Sequence, residues 1–254
     1  MVTTLNRIDF TEVDALQDLE RNGFFLYPAL LDEHQLQRWL GRCKAAFESP
    51  DIGMLRSRGS LYGSRSLLRV MPEVVELAHE RSIRSLMRAI LGDGWGVVRG
   101  LFFDKPPERS WTLPWHRDRT IAVASLESYG ACEGFSNPTT KAGIPHLVAP
   151  EWLLQRMLTL RIHLDEVTHE NGPLVVQPGS HRCEQVDDEL ATNRDADMVP
   201  IHCRAGDVLV MRPLLAHTSQ LSMPGTQRHR RIIHLELAPA SVLPSPLIWH
   251  DFVA

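Results

Sequence analysis

Leu158-Thr159-Leu160-Arg161-Ile162-His163-Leu164-Asp165 is the stretch on which the fold turns. Leu158, Leu160, Ile162 and Leu164 fall on one side of an extended chain, and Thr159, Arg161, His163 and Asp165 fall on the other, which is the period of a β-strand. A later run behaves alike, with Arg231, Ile233, Leu235 and Leu237 alternating with Arg230, Ile232, His234 and Glu236. A sheet whose apolar face is covered by helices explains both runs and frees the other face to line a polar cavity. Shorter apolar runs at Gly96 to Phe103, Leu174 to Gln177 and Gly206 to Met211 are bounded by Gly and Pro and read as further strands.

Upstream of Trp95 the period is helical. After Asp32, a good N-cap, Leu36, Trp39, Leu40, Cys43 and Phe47 recur at helical spacing. A second helix is expected from about Glu76 to Leu91, with Ile83, Leu86, Met87, Ile90 and Leu91 as its stripe and the Gly92-Asp93-Gly94 turn at its end. The segment from about Ser125 to Trp152 has no clear period and is long for a loop, so it reads as a lid insert. The resulting expectation is a mainly β protein with flanking helices in a single domain over 1–254. Residues 1–94 are mainly helical, 95–240 form the β core and 125–152 the lid.

The 254 residues suffice for a full core, and no Ser/Gly/Pro-rich linker divides them. The net charge of -4 is spread without long runs of one sign, which argues against a nucleic-acid or membrane surface and for a small-molecule partner. Oligomeric state is not legible. Cys43, Cys132, Cys183 and Cys203 are scattered without a CxxC, and no charged-then-apolar leader precedes them, so reduced thiols in a cytoplasmic protein are expected.

Chemistry concentrates in Pro114-Trp115-His116-Arg117-Asp118. Strand alternation would place an imidazole from His116 and a carboxylate from Asp118 on one face. His217, between a strand-like run and the Pro224-Gly225 turn, is the best third ligand. Two histidines and one carboxylate form the facial triad of non-haem Fe(II) oxygenases and leave positions for a bidentate 2-oxo acid and O2. The HxD pair alone is a weak signal. A downstream arginine strengthens it, since the far carboxylate of 2-oxoglutarate needs a cationic partner, and Arg230 meets that need.

Several ordered pieces resemble the phytanoyl-CoA dioxygenase family of 2-oxoglutarate-dependent oxygenases. They are Gly23-Phe24-Phe25, Trp115 to Val123, Asn171-Gly172-Pro173-Leu174, Pro178-Gly179-Ser180-His181, Ala205-Gly206-Asp207, His217 and Arg230-Arg231. The resemblance implies a double-stranded β-helix, the cupin-like jelly roll, with the N-terminal helices packed on one sheet. It makes His116, Asp118 and His217 the iron ligands and Arg230 the anchor of 2-oxoglutarate. Fe(II), 2-oxoglutarate and O2 follow as cofactor and cosubstrates, with ascorbate as an auxiliary reductant, and succinate and CO2 are released. The spacing from His217 puts Arg228 at the family's usual distance, but strand parity favours Arg230, with Arg231 a surface or helix-facing charge. The resemblance also places a position near Arg161 against the cosubstrate.

Beyond these, His163 shares the polar face of its strand with Arg161, and His146 sits in the lid. His181 reads as a turn residue, and Trp111 and Trp115 as pocket wall. Arg117, Arg119 and Arg161 hint at an anionic group. Because Asp118 is retained, hydroxylation is expected in place of halogenation. Two alternatives stay open: a cupin-like metalloenzyme that does not use 2-oxoglutarate, and a non-catalytic metal- or ligand-binding jelly-roll module.

Overall fold

A computed structural model describes residues 11–48, 54–57, 60–127, 129–182 and 198–254. Its helices are α1 (Glu12–Asn22), α2 (Glu33–Glu48), α3 (Leu67–Val70), α4 (Arg81–Leu91) and α5 (Glu151–Leu154). Its strands run in chain order as β1 (Phe24–Tyr27), β2 (Met54–Ser57), β3 (Ser60–Ser64), β4 (Trp95–Lys105), β5 (Leu113–His116), β6 (Thr120–Ala122) and β7 (Ser136–Lys141). They continue as β8 (Ile144–Val148), β9 (Leu158–His163), β10 (Leu174–Val176), β11 (Val199–Ile201), β12 (Val208–Met211), β13 (His217–Ser219) and β14 (Arg230–Pro239).

The strands form a seven-stranded sheet in the order β1-β12-β9-β14-β4-β3-β2, a four-stranded sheet β11-β10-β13-β5 and a three-stranded sheet β6-β8-β7, all paired antiparallel. The two runs singled out by their period lie side by side in the large sheet, with Ile233 opposite Ile162 and His234 opposite Arg161. Leu158, Leu160 and Ile162 of β9 and Ile233, Leu235 and Leu237 of β14 share one buried cluster with Trp39 and Cys43 of α2 and Ile83, Leu86 and Met87 of α4. Each such side chain, fully buried, contributes about 1.5–3 kcal/mol. The capping of α2 is reciprocal: the Gln35 N–H donates to Asp32 Oδ1 (2.7 Å) and the Asp32 N–H to Gln35 Oε1 (2.9 Å).

The opposite face of the large sheet is turned toward the four-stranded sheet. Leu209 and Met211 of β12 pack there with Leu174, Val176 and Ile201 of the smaller sheet. Beside this apolar patch the same face carries Thr159, Arg161, His163, Arg230, His234 and Glu236, all buried. The polar alternation of β9 and β14 is thus interior and not solvated. A register shift between Glu236 and Leu237 lets β4 change faces at Val98, so that Val97 joins the helix-side cluster while Arg99 and Lys105 face inward with Glu236 and Arg230.

The N-terminal part is mainly helical, and its three short strands β1, β2 and β3 join the large sheet. Two expectations need correction. The helix expected from Glu76 begins only at Arg81, because Pro72–Leu77 forms a separate 3₁₀ segment that buries Val74 and Leu77. The insert at 125–152 is largely ordered structure: β7 and β8 form a hairpin that pairs with β6 through Ala122 opposite His146, and α5 follows. Cys43, Cys132 and Cys203 are buried free thiols, and Cys183 lies outside the described residues.

Candidate metal centre

β13 and β5 are neighbours in the four-stranded sheet, and their register sets His217 opposite His116. The two imidazole centroids are 4.3 Å apart. Strand β5 ends at His116, so Asp118 lies just beyond it, fixed by its N–H to the Pro213 carbonyl at 2.9 Å. His217 Nε2 is 3.8 Å from Asp118 Oδ2, and one donor atom from each of His116, Asp118 and His217 lies within 4.8 Å of the other two.

The hydrogen bonds around this cluster suit a cation. His116 Nδ1 bonds the Pro114 carbonyl (2.7 Å) and His217 Nδ1 the Leu215 carbonyl (2.9 Å). A carbonyl only accepts, so each Nδ1 carries the proton and each Nε2 keeps its lone pair free. Burial holds His217 down at about 4 against the opposing pull of Asp118, leaving it neutral at neutral pH. Burial pushes Asp118 upward, but His217, His234, His116 and Arg161 outweigh it and hold the carboxyl at about 2. Asp118 Oδ2 is buried without a hydrogen-bond partner. A buried carboxylate oxygen beside two free imidazole lone pairs fits a divalent metal.

Next to this cluster the inner face collects cations. Arg230, buried, donates from Nη1 to the Gly172 carbonyl (2.6 Å) and from Nη2 to Ser219 Oγ (3.2 Å). Lys105, directly opposite Arg230 and completely buried, donates to the same Ser219 Oγ (2.8 Å) and to the Gln220 carbonyl (2.6 Å). Arg161 donates from Nη1 to His234 Nδ1 at 3.1 Å. Among the described residues none of these three cations pairs with a carboxylate. Burial and then Arg230 and Arg161 push Lys105 down to about 6, and burial and then Arg161 push Arg230 down to about 9. His163, with both ring nitrogens unpartnered, is held well below its usual value by burial, Arg161 and Arg230. Buried guanidinium groups that pair with no carboxylate give this pocket the chemistry to hold an anionic ligand.

The remaining candidates separate. Arg228 is on the surface, paired with Glu166 (2.8 Å) and Glu170 (2.9 Å), and Arg231 is bound to Asp165 (2.6 Å). Arg117 donates to the Ser180 carbonyl (3.1 Å) and Arg119 to Glu151 (2.9 Å), so both are engaged by the scaffold. Trp111 lies over the Lys105 ammonium at 5.2 Å, and Trp115 is half-buried. His146 is buried with Nδ1 on the Ile144 carbonyl and Nε2 unpartnered. His181 packs in the 3₁₀ turn Ser180–Arg182.

The short motifs have scaffold roles. Ser180 Oγ accepts the Ala216 N–H (2.9 Å), fixing the residue before His217. Asn171 Nδ2 donates to the Glu166 (2.8 Å) and His229 (2.9 Å) carbonyls, fixing the residue before Arg230. Asp207 Oδ1 accepts the Ala29 N–H (2.9 Å), tying the N-terminal segment to β12. Sequence reasoning missed Lys105 and the Arg99–Glu236 pair, whose Nη1 to Oε1 distance is 3.0 Å. The available signal was parity with Arg99, Leu101 and Phe103 along β4, counted back from Lys105.

Fold and centre together define a protein of antiparallel sheets that holds a two-histidine, one-carboxylate cluster against a buried cationic pocket. The chain belongs to the phytanoyl-CoA dioxygenase (PhyH) family, whose profile matches residues 19–229. Among solved structures it is similar to EctD from S. alaskensis, determined with 2-oxoglutarate and 5-hydroxyectoine, at TM-score 0.70 and 18% identity over 93% of this chain and 78% of that chain. It is also similar to the non-heme alpha ketoglutarate dependent epimerase SnoN from nogalamycin biosynthesis, at TM-score 0.66 and 18% identity over 90% of this chain and 81% of that chain. AviO1 from Streptomyces viridochromogenes Tue57 gives TM-score 0.66 and 22% identity over 94% of this chain and all of that chain. No curated protein matches the chain. Among the described residues no helix is long and apolar enough to cross a membrane.

Proposed function

We propose that the chain is an Fe(II)- and 2-oxoglutarate-dependent oxygenase that hydroxylates a small molecule and releases succinate and CO2. The observation that carries this reading is the pair of buried, carboxylate-free guanidinium groups Arg230 and Arg161, with the buried Lys105 amine opposite Arg230 able to take up a proton, beside the His116, Asp118 and His217 cluster. A metalloenzyme working without an anionic cosubstrate would leave that charge uncompensated. The family assignment and the likeness in fold to EctD and SnoN support the same reading. The facing sheets and their shared apolar cluster support a double-stranded β-helix in one domain, with the helices on the large sheet.

In this reading His116 and His217 offer Nε2 and Asp118 a carboxylate oxygen to iron, and the carbonyls of Pro114 and Leu215 hold the two rings in the ligating tautomer. Arg230 and Lys105 hold the far carboxylate of 2-oxoglutarate, with Ser219 Oγ fixing both cations relative to each other. Arg161, locked by His234, adds positive charge within electrostatic reach of both Asp118 and Arg230. The bound iron and 2-oxoglutarate supply the O2-dependent oxidation itself. The β7–β8 hairpin acts as the lid, keeping water from the reacting atoms.

Anaerobic addition of Fe(II) and 2-oxoglutarate tests the reading through the weak visible charge-transfer band of a chelated 2-oxo acid. The band should appear in the native protein and vanish in His217→Ala. Bound iron without the band would overturn the use of 2-oxoglutarate.

A further inference from the structure

A second group of charges lies on the same inner face but at the other end of β14. Glu236 is six residues along from Arg230, about 20 Å at the rise of a strand, and faces Arg99, whose guanidinium it binds at 3.0 Å. Around this buried pair stand Arg65 just after β3, Lys141 at the end of β7 and His146 in β8. Lys141 is within electrostatic reach of Arg99, Arg65, Glu236 and Asp118, and His146 of Arg99, Lys141 and Glu236. The group therefore adjoins the metal cluster through Asp118 while lying a strand's length from the cations assigned to 2-oxoglutarate.

Its charges do not balance. Glu236 is matched by Arg99 and Asp118 by the metal, which leaves Arg65 and Lys141. Lys141 donates to Thr120 Oγ1 at 3.0 Å, and among the described residues neither it nor Arg65 pairs with a carboxylate. Burial first, then neighbouring cations, pulls both half-buried groups downward, and for Lys141 this outweighs the opposing pull of Glu236 and Asp118. Buried His146 adds an oriented acceptor: its Nδ1–H is taken by the Ile144 carbonyl at 2.8 Å, and its Nε2 has no partner. Burial and Arg99 hold this imidazole neutral, so Nε2 accepts a hydrogen bond and cannot donate one.

We propose that Arg65, Lys141 and His146 form the docking site for the prime substrate, a small molecule that presents an anionic group together with an O–H or N–H donor. The proposal rests on the oxygenase reading and names the substrate class for that site. Arg65 and Lys141 hold the anion, His146 Nε2 accepts from the adjacent donor, and the Arg99–Glu236 pair fixes the floor. Two of these groups belong to the β6-β8-β7 sheet, so a bound substrate would contact that sheet directly.

The test uses inorganic phosphate, which carries both the charge and the O–H, and sulfate, which carries the charge alone. Protein is loaded with Mn(II) as a redox-inert probe and with saturating 2-oxoglutarate, and phosphate binding is followed by paramagnetic broadening of its ³¹P resonance, with sulfate as competitor. Phosphate should bind beside 2-oxoglutarate and outcompete sulfate several-fold. Lys141→Met and Arg65→Met should each weaken it by about tenfold or more, with 2-oxoglutarate affinity, measured by calorimetry, unchanged. His146→Phe should erase the preference over sulfate. Absence of phosphate binding, displacement of phosphate by 2-oxoglutarate, or indifference to Lys141→Met and Arg65→Met would overturn the site. Failure of 2-oxoglutarate itself to bind would count against the oxygenase reading alone, because the phosphate titration is repeated without it.

Discussion

Lys105 gives the sharpest consequence of the buried cation cluster. Its ammonium is fully buried, and burial with Arg230 and Arg161 brings it to about 6, against about 10.4 in an unfolded chain. At pH 8, two units above that value, only about one molecule in a hundred carries the charge before ligand arrives. A carboxylate placed between Lys105 and Arg230 favours the charged form, so binding of 2-oxoglutarate should draw nearly one proton from solution. The sign follows from linkage: binding that takes up a proton weakens as pH rises, here by up to about tenfold per unit above pH 6. Calorimetric titration in two buffers of different ionisation enthalpy measures the proton count, and repetition from pH 6 to 8.5 gives the slope. In Lys105→Met, which keeps the length and removes the charge, uptake should disappear and the affinity should become nearly flat with pH. At pH 6.5 the variant should bind about 10- to 100-fold more weakly, the worth of one charge-assisted hydrogen bond. Equal proton uptake in both proteins, or equal affinity at pH 6.5, would refute the role given to Lys105.

Gly172→Ala should damage the same pocket from the backbone. The residue sits at φ 68, a Cβ there would collide with the Gln220 carbonyl, and Gly172 and Gln220 supply the oxygens that hold Arg230 and Lys105; 2-oxoglutarate affinity measured by calorimetry should fall with iron binding retained. Arg230→Ala should raise the dissociation constant for 2-oxoglutarate by about 100-fold or more, whereas Arg228→Ala, which removes only exposed pairs, should leave it unchanged. Asp118→Ala should abolish iron binding or 2-oxoglutarate turnover, and unchanged turnover would overturn the ligand assignment. Ile233→Ala, in the helix-side core, should cost about 2–5 kcal/mol in denaturant unfolding while leaving the charge-transfer band intact.

The legible and illegible parts divide along physical lines. Strands β9 and β14 announce themselves because one face is apolar and the other polar, and parity alone puts Arg230 with His234, while the pairing that sets Arg161 opposite His234 is read only from the structure. The histidines and Asp118 stand out because few side chains offer metal-ligating atoms. Lys105 is hidden, since a lysine at a strand end is ordinarily solvated and the register shift near Val98 breaks the parity that would be counted from the start of β4. Hairpin strand β7, Ser136-Asn137-Pro138-Thr139-Thr140-Lys141, is mostly exposed and has no apolar alternation to betray it, so the segment reads as a structureless lid. The break before α4 is local: the 3₁₀ segment Pro72–Leu77 buries Val74 and Leu77 on its own, and α4 begins only at Arg81.

Both faces of the large sheet are buried, but for opposite reasons. On one, Ile233, Leu235 and Leu237 meet the helices and stabilise the fold outright. On the other, Arg230 Nε, Arg161 Nε and both nitrogens of His163 are buried without partners, as is Asp118 Oδ2 just beyond β5 of the four-stranded sheet. Each such atom costs about 1–3 kcal/mol or more when left unsatisfied, a cost that side-chain packing alone gives no reason to accept. In the proposed reading a metal held by His116, Asp118 and His217 would take Asp118 Oδ2, and a dicarboxylate at Arg230 and Lys105 would bring the counter-charge that the buried guanidinium groups lack. The apolar face therefore has to over-stabilise the sheet so that the polar face can be held ready and underbonded, which is the condition for a preorganised site.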